Sequence, residues 1–367
     1  MKFAIPRQDL ADALACVFRA VSTRALFPAL SGVLVDAARD KITLTATDGD
    51  LTIVTRVPAE VQAEGAAVLP ARFSLELVRR LQGGDVVVHA DGGHVTIESA
   101  DSQYTVGTFP TSEFPERPDI APVAELTLPT ADMGELIAQT SYAAASGDTA
   151  RPVLTGTLLE LFPDKVKAVA CDGFRLAIKE VQPSAQGTGS CRVIIPTRAL
   201  QELERVLGGD GGVTLAVAAN HILFKLGETM VYSRLIEGQF VDYARVIPEV
   251  QGTTLRVRAD AFAGALERLM LLARDVSFNA VKLLSSAEFL RITSHAPDMG
   301  SAVEKVPLLS GGDGDEVSLN ARFVLDFLRA VHADNIDLSL AAKRGGALLF
   351  RPCGEEGHLY ILMPLTL

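Results

Sequence analysis

This 367-residue chain has no tryptophan, five tyrosines and only 6% aromatic residues in all. That scarcity argues against a protein that holds single-stranded nucleic acid by stacking bases on aromatic platforms. Cysteine is equally thin: Cys16, Cys171, Cys191 and Cys353 stand apart, with no C-x-x-C pair. Such spacing fits neither a disulfide framework nor a zinc site; buried thiols in a reducing compartment fit it better. No run approaches the roughly 20 apolar residues of a membrane span. Arg7, Asp9 and Asp12 break up the first segment before a signal-peptide core can form. A soluble, cytoplasmic protein is expected.

Catalytic signatures are missing as well. There is no P-loop, so ATP cannot be cradled in that manner. His89, His94, His221, His295, His332 and His358 show neither metal-ligand nor triad spacing. Gly311-Gly312-Asp313-Gly314-Asp315 hints at a calcium loop, but Val317 and a missing acid at the closing position spoil it. Asp48 and Asp172 each precede a glycine at equivalent places, which suits repeated turns better than paired acid–base carboxylates. No catalytic residue, metal or cofactor is expected. The net charge of −11 argues against simple adhesion to nucleic acid, although a local basic surface depends on placement.

What the chain does have is repetition. Arg72–Glu76–Arg79, Arg198–Glu202–Arg205 and Arg322–Asp326–Arg329 share one pattern, at intervals of 126 and 124 positions. Leu77, Leu203 and Phe327 follow the acids, and Leu81, Leu207 and Val331 come four places later. A spacing of seven puts both arginines of a copy on one helical face. The chain is too long for one comfortable core, and the interval divides it into three.

Each unit reads as strand, helix and strands, twice over. In the first, strand Lys2–Ile5 precedes a helix near Gln8–Ala20; strands follow at Ser31–Val35, Ile42–Thr47 and Leu51–Val57. Its second half has strand Ala67–Leu69, a helix after Pro70, and strands Val86–Ala90, Val95–Ser99 and Tyr104–Thr108. Gly32 and Asp48-Gly49 recur as Gly156 and Asp172-Gly173, and a helix is expected near Thr130–Tyr142. The third unit begins near Thr253, with a helix around Ala261–Ala273 and Asn320 as N-cap of its motif helix. Proline and acid cluster at Phe114–Pro118 and Ile247–Gly252, giving α+β domains at 1–121, 122–249 and 250–367.

Several segments resemble the bacterial DNA polymerase III beta subunit, the DNA sliding-clamp family. They are Pro28–Leu34, Ala46-Thr47-Asp48, Val68–Arg72, Ala170–Ala177, Gly238–Pro248 and Met363–Leu367, in order from end to end. The resemblance implies three clamp domains per chain, with helices lining an inner face and antiparallel sheets outside. Two chains would close head to tail into a ring around duplex DNA, binding replicative polymerase and clamp-loader subunits through short peptides. It implies DNA contacts at Arg24, Arg72, Arg151 and Arg198; the internal repeat adds Arg322. For any one arginine the plainer reading is a solvated ion pair, Arg72–Glu76 or Glu76–Arg79, worth about 0.3–0.5 kcal/mol. Recurrence in three units shifts the weight toward a shared surface that holds phosphates without reading bases.

The resemblance also implies a partner-peptide pocket. Its residues are Leu154, Cys171, Gly173, Phe174, Arg175, Leu176, Arg245, Val246, Ile361, Met363, Pro364 and Leu365, where an extended peptide could bury a Leu or Phe. Phe174, Val241 and Thr366 stand where family members often have His, Pro and Arg, so partner preference is expected to differ. Tyr104, Leu271 and Leu272 match apolar dimer positions. Asp101 and Gln103 flank Tyr104 where family members often carry basic residues, and the acidic set near Asp298 and Glu304 is thin, so the charged seam is expected to be weak. Two rivals remain at this point: a clamp-like scaffold without a replicative role, and an α+β enzyme using Asp172 with a nearby histidine.

Overall fold

The computed structural model describes all residues except 23–26, 148, 184–186, 249–253, 274–276, 298, 313–315, 341–345 and 367. Arg24, Asp298, Thr253, the acidic part of the second linker and residues 313–315 of the glycine–aspartate run therefore lie outside the described residues.

In the first repeat β1 (Lys2–Pro6) leads into α1 (Arg7–Phe18). Then come β2 (Gly32–Ala38), β3 (Lys41–Thr47), β4 (Leu51–Pro58) and a short β5 (Glu60–Ala63). Its second half is β6 (Gly65–Pro70), α2 (Ala71–Arg80), β7 (Asp85–Asp91), β8 (His94–Ser99) and β9 (Ser102–Gly107).

The second repeat has β10 (Ala124–Pro129), α3 (Thr130–Ala138), β11 (Gly156–Phe162), β12 (Lys165–Cys171) and β13 (Arg175–Val181). It continues with β14 (Cys191–Pro196), α4 (Thr197–Val206), β15 (Gly212–Val217), β16 (His221–Leu226) and β17 (Thr229–Arg234). The third has β18 (Thr254–Arg258), α5 (Ala259–Ala273), β19 (Ala280–Ser285), β20 (Phe289–Ala296) and β21 (Gly300–Ser310). It ends with β22 (Glu316–Asn320), α6 (Ala321–Ala330), β23 (Asn335–Leu340), β24 (Leu348–Pro352) and β25 (His358–Leu362).

All three arginine motifs fall on ten-residue helices that start one residue before the first arginine. The reason is visible in the buried face. Ala71, Ser74, Leu75 and Val78 are buried in α2, and Ala321, Val324, Leu325 and Leu328 are buried in α6 at the same spacing. Asn320 caps α6 as expected, its Oδ1 accepting from the Arg322 and Phe323 amides at 2.9 and 3.3 Å. The repeated glycines have steric causes. A Cβ on Gly156 would stand 2.7 Å from the Ile195 carbonyl oxygen, so only glycine lets β11 and β14 meet there. Gly49 and Gly173 take φ of +101° and +95° in the turns after β3 and β12.

The chain gathers into two compact units. One comprises Met1–Thr130, Pro183–Gly189 and Glu202–Leu235; the other comprises Ala131–Gln182, Ser190–Gln201 and Ile236–Leu367. The first holds a five-stranded sheet, β5-β1-β7-β8-β9, and an eight-stranded sheet, β10-β15-β16-β17-β4-β3-β2-β6. The second holds a twelve-stranded sheet, β14-β11-β12-β13-β25-β24-β23-β18-β21-β20-β19-β22.

The large sheets are not confined to one repeat. In the first unit β4 pairs antiparallel with β17, Ile53 opposite Val231. In the second unit β13 pairs with β25 in the same way, Ala177 opposite Tyr360. Two edges stay open among the described residues. β9 ends its sheet, and among those residues β21 from Gly300 to Pro307 pairs only with β20, meeting β18 only at Leu308 and Ser310.

Candidate partner pocket and cationic helices

A cavity of about 370 Å³ opens in the second unit. The hairpin β12–β13, the strand end after β25 and the 241–246 segment form its walls. Of the residues expected there, Leu154, Cys171, Gly173, Phe174, Arg175, Leu176, Val246, Ile361 and Met363 line it. Arg245, Pro364 and Leu365 do not. The Arg245 guanidinium pairs with Asp242 at 2.8 Å, and the Leu365 amide is tied to the Ser318 carbonyl. Val241, expected to alter partner preference, lines it too, Tyr243 was missed although it lies in the Gly238–Pro248 segment, and Arg151, assigned to DNA by resemblance, also lines this cavity.

The floor is apolar because alternate residues of β12 and β13 point into one cluster. Val169, Cys171, Leu176 and Ile178 pack there with Leu154, Phe240 and Ile361. Phe174 is left 61% exposed at the rim, and its carbonyl accepts the Met363 amide at 2.8 Å. Burial pushes the Cys171 thiol up to about 11, so it behaves as a small apolar side chain and not as a nucleophile.

Asp172 is fully occupied. Its Oδ1 accepts from the Phe174 and Arg175 amides, and its Oδ2 accepts from Arg175 Nε at 3.0 Å. Asp48 repeats the same turn with the Asp50 and Leu51 amides. A carboxylate so engaged closes a turn; it is not poised to move protons. Arg175 itself is nearly buried. Nη1 donates to Asp326 Oδ2 at 2.7 Å, and its guanidinium carbon sits 4.1 Å from the centre of the Phe323 ring.

The motif arginines are exposed on all three helices, but the acids between them behave differently. In α2 Glu76 bonds Arg72 at 3.1 Å and Arg80 at 3.2 Å, so the expected Glu76–Arg79 pair is replaced by the i+4 partner. Those two donors hold the Glu76 carboxyl below its usual range. In α4 Glu202 takes Arg205 and, at 3.5 Å, Arg19. In α6 Asp326 turns to Arg175, while Arg329 pairs with Glu267 at 3.0 Å. Arg322 has no ion pair among the described residues.

The expected dimer residues split in the same uneven way. Tyr104 is 42% exposed on β9 and Leu271 is 68% exposed near the end of α5, whereas Leu272 is half-buried. Phe278, Met299 and Val303 are exposed too and were not foreseen. Glu304, expected in the charged seam, is held by both Arg268 Nε and Nη2 at 2.8 and 2.9 Å within its own chain. Among the described residues no helix is long and apolar enough to cross a membrane.

Comparison with known proteins covers the whole chain. Models of the DNA polymerase III beta subunit match for its N-terminal domain over residues 1–118, its central domain over 127–242 and its C-terminal domain over 244–366. The beta sliding clamp of Escherichia coli K12 is 30% identical over 370 residues, covering 100% of both chains. The crystal structure of the Bacillus subtilis DNA polymerase sliding clamp superposes with a TM-score of 0.95 at 27% identity, over 100% of this chain and 99% of that one. The Pseudomonas aeruginosa clamp bound to griselimycin also gives 0.95 at 27%, over 100% of each. Three domain matches in register and full-length relatives leave one assignment: the chain belongs to the DNA polymerase III beta subunit family.

Proposed function

We propose that this chain is a non-catalytic, cytoplasmic processivity factor. Two copies close head to tail into a ring around duplex DNA. Replicative polymerase and clamp-loader subunits dock by short peptides in the pocket beside Phe174 and Met363. Domains divided at 1–121, 122–249 and 250–367 supply the three segments of each half-ring. The observation that carries the proposal is family membership over the whole chain.

The strand joints supply the physical reason for closure. Ile53 and Ala177 are equivalent, as are Val231 and Tyr360, so β4–β17 and β13–β25 are two copies of one joint. Among the described residues the third copy of that joint has an open β9 and an open β21, and a second chain would complete it. Hairpin pairings place Tyr104 with Val231 and Tyr360, and Ala302 with Ile53 and Ala177. The intermolecular register therefore sets Tyr104 opposite Ala302, and Gln103 opposite Val303. Arginine rows that touch phosphates alone leave such a ring free to slide, and topology rather than affinity keeps it on DNA.

Two experiments test this. Q103C paired with V303C should give a covalently closed dimer on oxidation, because facing Cβ atoms in an antiparallel pair lie within disulfide reach. Absence of an interchain cross-link would remove the joint. Rings loaded on nicked circular DNA should stay, and those on linear DNA should slide off. Equal loss from both would end the topological reading.

A further inference from the structure

We infer that Asp326 is a positioning residue of the partner pocket. Through Arg175 it fixes the pocket wall, and because it is held there it leaves Arg322 on α6 as an uncompensated cation. The inference rests on the reading of the cavity as a peptide site.

The three motif helices make the case by contrast. Glu76 and Glu202 each accept from an arginine of their own helix. Asp326 has the same opportunity, with Arg322 four residues before it and Arg329 three after. It takes neither, and instead meets Arg175, 151 positions away, at 2.7 Å. Arg175 lines the pocket and is only 9% exposed, so its charge needs carboxylates close by. One guanidinium lies between Asp172 and Asp326 and covers the Phe323 ring. The Phe323 carbonyl in turn accepts from Tyr360 Oη at 2.9 Å, one residue before pocket-lining Ile361. The acid of the third motif has thus been drawn out of the cationic row and into the wall of the pocket. Arg175, with Nε and Nη1 committed to Asp172 and Asp326, holds the wall that the partner touches.

D326A leaves Arg175 paired with Asp172, so the fold should survive and the change should stay local. The full-length protein is titrated with a fluorescein-labelled extended pentapeptide ending in Leu-Phe. The Kd should rise about tenfold in D326A and in R175A, the size expected for losing a charge-assisted hydrogen bond. The double variant should be no worse than R175A, since both changes break one link. Alkylation of Cys171 by iodoacetamide should accelerate several-fold in D326A while Cys191 and Cys353 keep their rates, which a general loosening would not allow. The salt slope of DNA binding should be unchanged in D326A. It should steepen by about one in E76A, which frees two arginines.

An unchanged Kd together with unchanged Cys171 labelling in D326A would overturn the inference. So would additive losses in the double variant, or a slope that steepens as in E76A. If the wild-type protein does not bind the peptide, the pocket reading itself fails. Cys171 labelling then decides whether Asp326 holds the wall, and an unchanged rate overturns that too.

Discussion

Helices α2 and α6 share a charge pattern, a length and a buried face, yet their flanks are put to opposite uses. In α2 Phe73 is exposed and Leu77 only half-buried, with Glu76 lying on the surface between two arginines. In α6 the residue after the acid, Phe327, is wholly buried and stacks on Tyr360 at 4.9 Å, with Phe350 beside both. The repeat sets the backbone and the spacing of the cations. What packs against each copy decides whether its acid screens those cations or serves another site.

The widest gap between the two helices should appear when equivalent side chains are truncated. F327A removes a fully buried ring from an aromatic cluster and should cost about 3–5 kcal/mol. L77A removes a half-exposed side chain from α2 and should cost about 1 kcal/mol in the monomer. Denaturant melts of both variants check this. Equal losses would mean that the two flanks are energetically alike and the contrast is only apparent.

Acid should separate the two regions next. His358 lies 5.6 Å from the Phe327 ring, with both ring nitrogens buried. Burial, reinforced by the Lys179 ammonium, pulls its pKa down to about 3. The unfolded chain takes up that proton near pH 6.5 and the folded chain does not. Stability from this group is therefore complete above about pH 6.5 and declines as pH falls toward 3, at about 1.4 kcal/mol per unit. Between pH 7 and 5 the wild-type protein should lose about 2 kcal/mol more than H358F. Hydrogen exchange should show α6 amides losing protection before those of α2. A variant with the same pH dependence as the wild type would clear His358 of this role.

Much of this architecture was legible from periodicity, and what escaped was of one kind. The arginine spacing, the Gly32 and Gly156 pair and the Asp-Gly turns placed the helices and hairpins to within a few residues, because each is dictated by its own few neighbours. β5 was missed since Glu60–Ala63 is polar and mostly exposed, with no apolar alternation to betray it. α3 stops at Ala138, short of the expected Tyr142, where Thr140 bonds back to the Leu136 carbonyl and the chain re-enters a single short turn. The sheets running from one repeat into the next, β4 with β17 and β13 with β25, lie beyond any local signal. So does the tie of Arg175 to Asp326 across 151 positions. Most pocket residues, Val241 included through its expected effect on partner preference, were named through family resemblance; Tyr243 was within the quoted segments but unassigned. The choice of Arg80 over Arg79 by Glu76 is a matter of rotamer, since both lie within helical reach.

The smallest effect is the most specific test of the α2–α6 contrast. DNA affinity falls with salt by a slope of about 0.9 per phosphate contact. Arg322 has no ion pair among the described residues, so each phosphate it meets should count in full, and R322A should flatten the slope by about one. Arg72 already shares Glu76 with Arg80, and a phosphate must compete with that carboxylate. R72A should therefore flatten the slope by clearly less than R322A, although Arg72 is the more exposed side chain of its own ion pair. Placing E76A behind R72A reverses the handicap: in that background Arg72 should count as fully as Arg322. If R72A and R322A flatten the slope equally in the wild-type background, the acids do not screen their own rows, and exposure alone governs what each helix offers to DNA.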